Sequence, residues 1–572
     1  MLKYGYLLIF YRSEFNKKIC IYKIREVKRF LNIIIGNAWP YANGELHLGR
    51  IAVLLPGDIL ARYHRLMGDD VVFVSGSDSH GTPVTMKAKE ENITPEEVST
   101  KYHEKIKDCF ERLGFSFDLF TKTHTEYHSK KVKEFILELY KKGYIYEKNV
   151  EETYCEHCKE YLLDRYIEGV CPFCGGYAVG DQCQECSKIF ESDELLDKKC
   201  SFCKSTPIKK ETKHLFFALS KLENDVKRIY IKQDGWRENA QKITKRYLDE
   251  GLRDRGVTRD FNWGVDVPLD GYKDKKIYVW IEAVMGYLTA SMKCIEERHE
   301  DYREYWDGDD SRVYFVHGKD NIPFHTVIFP AILSGLGFKN PNIREISSEY
   351  LKLEGKNFSA AKNWAVWGKD ILDNYNADLI RYYLILNGPE TKDTDFSWKS
   401  FITANNNDLV GLFGNLVNRI LVFTKKNFDN LIPKGTLDKK FKDDLFKVYC
   451  EVGDNIEEGN FKYALDKVMS LVKTANKYFD AAVPWVSVKK NKVKCSQDMY
   501  ICIQYIANIS NLIEPFMPYS AQKIRKFLNI ENPIWMPIEL KEGKINDTEI
   551  LFERIDRKNI DEEIEHLKEK CY

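Results

Sequence analysis

Apolar positions along this chain keep two rhythms. Residues 29–35 (RFLNIII) form a mostly apolar run of strand length that ends in three isoleucines, whereas residues 48–67 carry their apolar side chains three and four apart. The first pattern predicts a buried strand and the second a helix. Residues 71–76 (VVFVSG), a β-branched run stopped by glycine, predict a second strand. Strand, loop, helix and strand in that order make the βαβ unit of a parallel, nucleotide-binding sheet. Residues 276–284 (KIYVWIEAV) and 312–320 (RVYFVHGKD) read as later strands of the same sheet. The second ends in polar residues, at the edge where open α/β sheets place their ligands, and the first carries Glu282 near its end. From about Trp398 the strand patterns stop, and Phe461, Leu465, Val468, Val472, Ala475 and Phe479 keep helical spacing. The C-terminal third therefore reads as a helix bundle, closed by a charged helical pattern with a thin apolar face over residues 554–572.

At 572 residues the chain exceeds what one hydrophobic core usually serves, and length predicts three or four domains. Its 87 basic and 87 acidic residues cancel. A polyanionic partner must then be held by a local basic surface, which excludes a general nucleic-acid coat protein. No apolar run approaches the roughly 20 residues that span a bilayer. The longest near the start, residues 4–10 (YGYLLIF), is short and is followed by no small-residue cleavage site. These features predict a soluble, cytoplasmic protein without a membrane partner.

Residues 151–210 interrupt the α/β pattern with Cys, Gly and Lys, and read as an insertion with its own small fold. Eight of the 15 cysteines lie there in four Cys-x-x-Cys pairs: Cys155 and Cys158, Cys171 and Cys174, Cys183 and Cys186, Cys200 and Cys203. Two thiolates in a tight turn fill half of a tetrahedral zinc site, so four pairs predict two closed, structural sites. Spacing permits sequential pairing across gaps of 12 and 13 residues, or nested pairing in which an eight-residue gap joins the inner pairs.

In HLGR, His47 to Arg50, an imidazole and a cation bracket a glycine at a helix start, where free N–H groups and the helix dipole favour phosphate. PYANGELHLG at residues 40–49 surrounds that motif, and GSDSHGTP at 76–83, VWIEAVMGY at 279–287, GKDNIPFH at 318–325 and ANKYFDAAVPW at 475–485 follow in order. With these five motifs the chain resembles the class I aminoacyl-tRNA synthetases, and more narrowly the methionyl-tRNA synthetases, over roughly residues 29–530. The fold class so implied is α/β: a Rossmann-type parallel-sheet catalytic domain with an inserted zinc-knuckle domain, followed by an all-α helix-bundle anticodon-binding domain. The division expected is an extension over 1–28, the first half of the catalytic domain over 29–149, the connective insertion over 150–245 and the second catalytic half over 246–350. A signature-loop and stem-contact region over 351–398, the anticodon-binding domain over 399–550 and a charged tail over 551–572 complete it.

The resemblance implies ATP-dependent activation of methionine to methionyl-adenylate and its transfer to the 3′ end of tRNA(Met). Asp78 matches the carboxylate that pairs with the substrate ammonium, and Trp39, Tyr41, Trp280, Ala283, Tyr287, Phe324 and His325 match the walls around its side chain. Aromatic edges suit a polarizable thioether. The second family signature, K-(M/F)-S-K-S, aligns with Asn357, Phe358, Ser359, Ala360 and Ala361, so both signature lysines are replaced. Lys356 and Lys362 flank the loop as substitutes. The resemblance thus implies His47, Arg50 and Lys356 as catalytic, and His47, Gly49, Arg50, Lys356, Asn357, Ser359 and Ala360 as ATP-binding. It favours nested zinc pairing, Cys171, Cys174, Cys183 and Cys186 on one ion and Cys155, Cys158, Cys200 and Cys203 on the other, and implies Mg²⁺ with ATP. Asn415, Arg419 and Trp485 match the anticodon-contacting positions, where unstacked bases meet aromatic faces and polar edges.

The rivals are a synthetase for another aliphatic amino acid, for whose editing insertion residues 144–245 leave little room, and a weakened paralogue kept as a tRNA-binding protein. The resemblance begins at VKRFLN, so translation starting at Val27 is expected, as is a monomer, with or without a separate tRNA-binding subunit.

Overall fold

Ile33, Ile34 and Ile35 are fully buried, and alternation along a strand sends them to opposite sides of one sheet. They belong to β1 (Asn32–Asn37) in a computed structural model that describes residues 30–162, 166–180, 182–183, 194–232, 235–360 and 362–569. The 1–28 extension and Val27 lie outside the described residues. β1 is the central strand of five, all parallel. On one side lie β2 (Asp70–Ser77) and β3 (Leu119–Lys122), and on the other β4 (Ser311–Gly318) and β5 (Ile343–Ser348). Connections leave β1 in both directions, so a crevice opens at the carboxyl ends of β1 and β4, as in other doubly wound sheets.

Helix α1 (Leu48–Met67) covers the face of Ile33 and Ile35, and α2 (Val279–Glu297) covers the face of Ile34. The second assignment corrects the strand expected over residues 276–284. Only Lys276–Ile277 is extended, paired antiparallel with Thr258–Arg259, and the helix begins at Val279. Ile281, Val284, Met285, Leu288, Met292 and Ile295 are buried at helical spacing. A short apolar run has the same composition in a strand and in a buried helix, and only the continuation past Val284 separates the two.

The insertion departs on a long antiparallel ribbon, Ile145–Cys155 against Ile208–Phe217. Its far end holds short strands around a small core of Leu162, Tyr166, Ile167, Ala178 and Leu195 with the knuckle cysteines.

The helical region shares one continuous core with α1 and that face of the sheet. Its helices include α3 (Ala377–Leu386), α4 (Asn415–Asn427), α5 (Phe461–Ala482) and α6 (Lys492–Ile513). At the junction the Arg381 guanidinium of α3, fully buried, lies 2.6 Å from Asp58 of α1 and donates to the carbonyls of Leu113, Pro515 and Phe516. Arg62, one turn after Asp58, pairs with it at 2.9 Å and with Glu514, just beyond α6, at 2.8 Å. Ser116 donates its N–H and its hydroxyl to Asp58. Burial alone would raise the Asp58 pKa, but Arg62 and Arg381 overcome it and hold the carboxyl at about 2. The segment expected as a charged tail packs back on this body: Leu551, Phe552 and Leu567 are buried, and Glu563 accepts from the Tyr375 hydroxyl at 2.8 Å.

Replacing Arg381 by Ala leaves the Asp58 carboxylate buried with one partner fewer. The expected loss is about 3–5 kcal/mol, read as a lower urea midpoint by circular dichroism. Because the Asp58 pKa is depressed, its contribution is present above pH 4 and lost as pH falls toward 2. Wild-type protein should lose stability through that window more steeply than the variant.

Candidate active site and peripheral sites

The crevice is a cavity of about 640 Å³ lined by residues from the ends of β1, β2 and β4, the first turn of α1 and the first turns of α2. Trp39, Tyr41, His47, Gly49, Arg50, Asp78, Trp280, Ala283, Tyr287, His325 and Asn357 all line it.

His47 caps α1 through an extended backbone and leaves its side chain free of the capping role. Its imidazole stacks on Phe358 at 4.9 Å and 13°, with Trp367 edge-on at 6.1 Å, and Nδ1 has no hydrogen-bond partner. Burial first, and Arg50 second, push its pKa down to about 3, so the ring is neutral at physiological pH. A Cβ on Gly49 would stand 3.0 Å from the His47 ring and 3.1 Å from Phe358, so the close approach of the three requires glycine. Arg50, half-buried, lines the same wall with its pKa lowered by lost solvation.

Asp78 follows β2, and its backbone is locked to the incoming loop: its N–H donates to Pro40 and its carbonyl accepts from Ala42, both at 2.8 Å. Burial, with Glu282 second, raises its pKa well above the ordinary carboxylate value. Glu282 itself is held at about 2 by His80 and His128 against the effect of burial. Trp39 lies over two glycines, since a Cβ on Gly76 would come within 2.6 Å of its ring and one on Gly286 within 2.9 Å.

The floor is a chain of neutral groups. His325 Nδ1 lies 2.8 Å from the Asn321 carbonyl and must donate to it, so Nε2 accepts from the Tyr287 hydroxyl, also at 2.8 Å. His317 stacks on His325 at 4.1 Å and donates from Nδ1 to the Gly318 carbonyl. Its Nε2 then accepts from Glu345 at 2.7 Å, which requires Glu345 to be a carboxylic acid. The electrostatics agree: burial raises Glu345 well above its usual value, lowers His317 to about 4 and, with His317 beside it, holds His325 well below the usual histidine value.

Several expected residues stand elsewhere. Phe324 stacks behind Trp280 at 4.4 Å and lines a neighbouring cavity of about 310 Å³ instead. Ser359 and Ala360 lie in a turn closed by paired bonds between Ser359 and Trp364, away from the cavity. Lys356 is exposed, its ammonium 4.6 Å over the Trp364 ring, and Lys362 is exposed too. Conversely, Asp320, Asn321, Glu349, Tyr350 and Phe358 line the cavity without having been singled out. GKDNIPFH already contains Asp320 and Asn321, and Phe358 fills the second place of the loop signature; nothing in the sequence marks Glu349 or Tyr350.

In the insertion the Sγ atoms of Cys155, Cys158, Cys200 and Cys203 lie within 4.8 Å of one another, and those of Cys171, Cys174 and Cys183 do likewise. The grouping is nested; Cys186 lies outside the described residues. Sulfur separations of 3.4 Å for Cys155 and Cys203, 3.8 Å for Cys158 and Cys200, and 3.6 Å for Cys174 and Cys183 approach the roughly 3.8 Å edge of a tetrahedron with 2.3 Å zinc–sulfur bonds. Both clusters can hold a metal ion.

In the helical region Asn415 and Arg419 sit one turn apart on α4. Arg419 pairs with Asp480 at 2.7 Å and lies 4.6 Å over Phe479, whose ring is 6.2 Å from Trp485. Val483 adopts a left-handed conformation and Pro484 starts a short helix, so the 48% exposed Trp485 stands in a first helical turn rather than in a free bend.

Residues 33–421 match the family described as tRNA synthetases class I (M), and residues 432–570 match the anticodon binding domain of methionyl tRNA ligase. The chain is 50% identical over 540 residues to a methionine–tRNA ligase of Bacillus anthracis, covering 94% of this chain and 99% of that protein. It is 48% identical over 539 residues to methionine–tRNA ligase 1 of Alkaliphilus oremlandii, covering 94% and 100%. Among solved structures, Mycobacterium tuberculosis methionyl-tRNA synthetase in complex with methionyl-adenylate superposes with a TM-score of 0.72 at 24% identity, over 87% of this chain and 94% of that one, a likeness of fold.

Proposed function

The chain belongs to the class I methionyl-tRNA synthetases, and from that membership we propose how its side chains divide the work. Its reaction is the ATP-dependent joining of methionine to tRNA. A methionine carboxylate oxygen attacks the α-phosphorus of ATP, pyrophosphate leaves, and a hydroxyl at the tRNA 3′ end then takes the methionyl group from the adenylate.

One observation carries the assignment of roles: Asp78, the Tyr287–His325 pair and the His47–Arg50 turn open into a single cavity. Asp78 receives the substrate ammonium. Burial disfavours its carboxylate, and an arriving cation restores the charged form, so binding and ionisation are coupled. The thioether lies among Tyr41, Trp280 and Ala283 above the neutral floor, where no charge competes with it. Neutral His47 hydrogen-bonds phosphate without adding charge, which leaves Arg50 as the cation of the helix start. Lys356 swings from the Trp364 face to the departing pyrophosphate, and that travel makes the first step slower than with a lysine inside the signature. Asp320 and Glu349 already engage Tyr350 and Lys319, so the magnesium that accompanies ATP is held by the triphosphate. Catalysis rests on positioning and charge, with no covalent enzyme intermediate.

Cys155, Cys158, Cys200 and Cys203 would hold one zinc ion and Cys171, Cys174 and Cys183, joined by Cys186, a second, and these ions would brace the knuckles without taking part in the reaction. Asn415, Arg419 and Trp485 read the anticodon. The protein works in the cytoplasm as a monomer, and no described helix is long and apolar enough to cross a membrane.

Methionine-dependent exchange of pyrophosphate into ATP tests the reading. Exchange with isoleucine overturns the specificity, and no exchange at any enzyme concentration favours a tRNA-binding paralogue. Asp78→Asn should raise KM for methionine about tenfold or more. In the wild type KM should fall as pH rises through the elevated Asp78 pKa, because protonation competes with the ammonium; the Asn variant should lose that slope. Trp485→Ala should abolish charging while sparing exchange, and equal loss of both sinks the anticodon role. Elemental analysis should find two zinc per chain.

A further inference from the structure

A second cavity, of about 280 Å³, adjoins the first and shares Tyr41 and Trp280 with it. Those two rings meet edge to face at 6.0 Å. Beyond them the wall is made by Trp263 and Phe261, with the cations Arg259 and Lys276 on the rim.

Trp263 is held as a platform. Its indole N–H donates to the Ser79 carbonyl at 2.6 Å, and His124, which does not line the cavity, packs against it at 4.5 Å and 32°. His80 stands edge-on at 5.4 Å and is itself fixed through Glu282. Arg259 differs in its partners: its guanidinium lies 4.2 Å over Tyr278 and donates to the Thr258 carbonyl, but among the described residues no carboxylate pairs with it. A Cβ on Gly256 would come within 2.6 Å of Nη1, so the guanidinium is packed in place rather than loose. Lys276, by contrast, is paired with Asp266.

A pre-oriented indole, a second aromatic wall and an uncompensated cation make the combination that holds one nucleotide of single-stranded RNA: the base stacks and the cation meets its phosphate. We propose that this cavity receives the 3′-terminal adenosine of tRNA, the base on Trp263 and the terminal phosphodiester at Arg259, with the ribose lying over the Tyr41–Trp280 edge. The assignment rests on the ligase reading above. From that edge the ribose hydroxyl oxygen forms the ester bond to the methionyl carbonyl carbon. The acyl–phosphate bond breaks with its electron pair going to AMP, and the hydroxyl proton leaves to the AMP phosphate.

The test uses the full-length protein, methionine-dependent exchange, and single-turnover transfer from preformed enzyme-bound adenylate to tRNA(Met). Binding of intact tRNA is compared with that of tRNA trimmed of its terminal adenosine. Trp263→Ala should keep exchange within about twofold and slow transfer about tenfold, the size of one lost base–aromatic stack. It should also bind intact and trimmed tRNA equally, where the wild type prefers the intact one. Trp263→Phe lacks the indole N–H but keeps a ring, and should restore transfer. Equal loss of exchange and transfer in Trp263→Ala, an undiminished preference for intact tRNA, or failure of the Phe variant to rescue overturns the proposal. Absence of exchange in the wild type would instead remove the ligase reading.

Discussion

The Asp58–Arg381 pair, buried to completion between helix α1 of the parallel-sheet domain and the helical region, is the contact on which the architecture turns. Two opposite charges out of water are costly unless every remaining donor and lone pair is used. Most of them are used here: three backbone carbonyls accept from Arg381 N–H groups, and Arg62 and Ser116 donate to Asp58. Those carbonyls belong to the segment after Cys109 and to the turn after α6. One guanidinium therefore ties together parts of the chain that are hundreds of residues apart, and the continuous apolar core around it follows the same seam.

Beneath the active-site cavity the opposite solution is used. Glu345, His317, His325 and Tyr287 are buried titratable groups, linked by hydrogen bonds and a ring stack with every member uncharged, although Glu345 Oε1 has no hydrogen-bond partner. A neutral floor leaves the field inside the cavity to the charged groups at its walls. The charged elements stand at the walls: Glu282 with its two histidines behind Asp78, and Arg50 at the head of α1.

The sequence disclosed most where one rhythm ran long enough to be unambiguous. The apolar spacing of residues 48–67 coincides with α1, and Phe461 to Phe479 lie in α5. It misled at residues 276–284, where nine residues suit either period. Cysteine spacing left the pairing open, and nesting followed from the antiparallel ribbon, which brings Cys155 beside Cys203. Within the cavity, residues inside motifs were legible as a set, but depth was not: Phe324 and His325 are adjacent in sequence, and only His325 reaches the cavity because a wide helical turn sends Phe324 behind Trp280. Glu349 and Tyr350 arrive from the end of β5, a neighbourhood created by strand order, which no local pattern encodes.

Helix α1 is twenty residues, a rod of about 30 Å. Its first turn faces the cavity through Gly49 and Arg50, and its middle is pinned by Asp58 and Arg62 between the helices of the anticodon-side body. The seat of the helical body and the placement of the cavity-facing turn are therefore set by one element, which packs on the sheet and on that body at once.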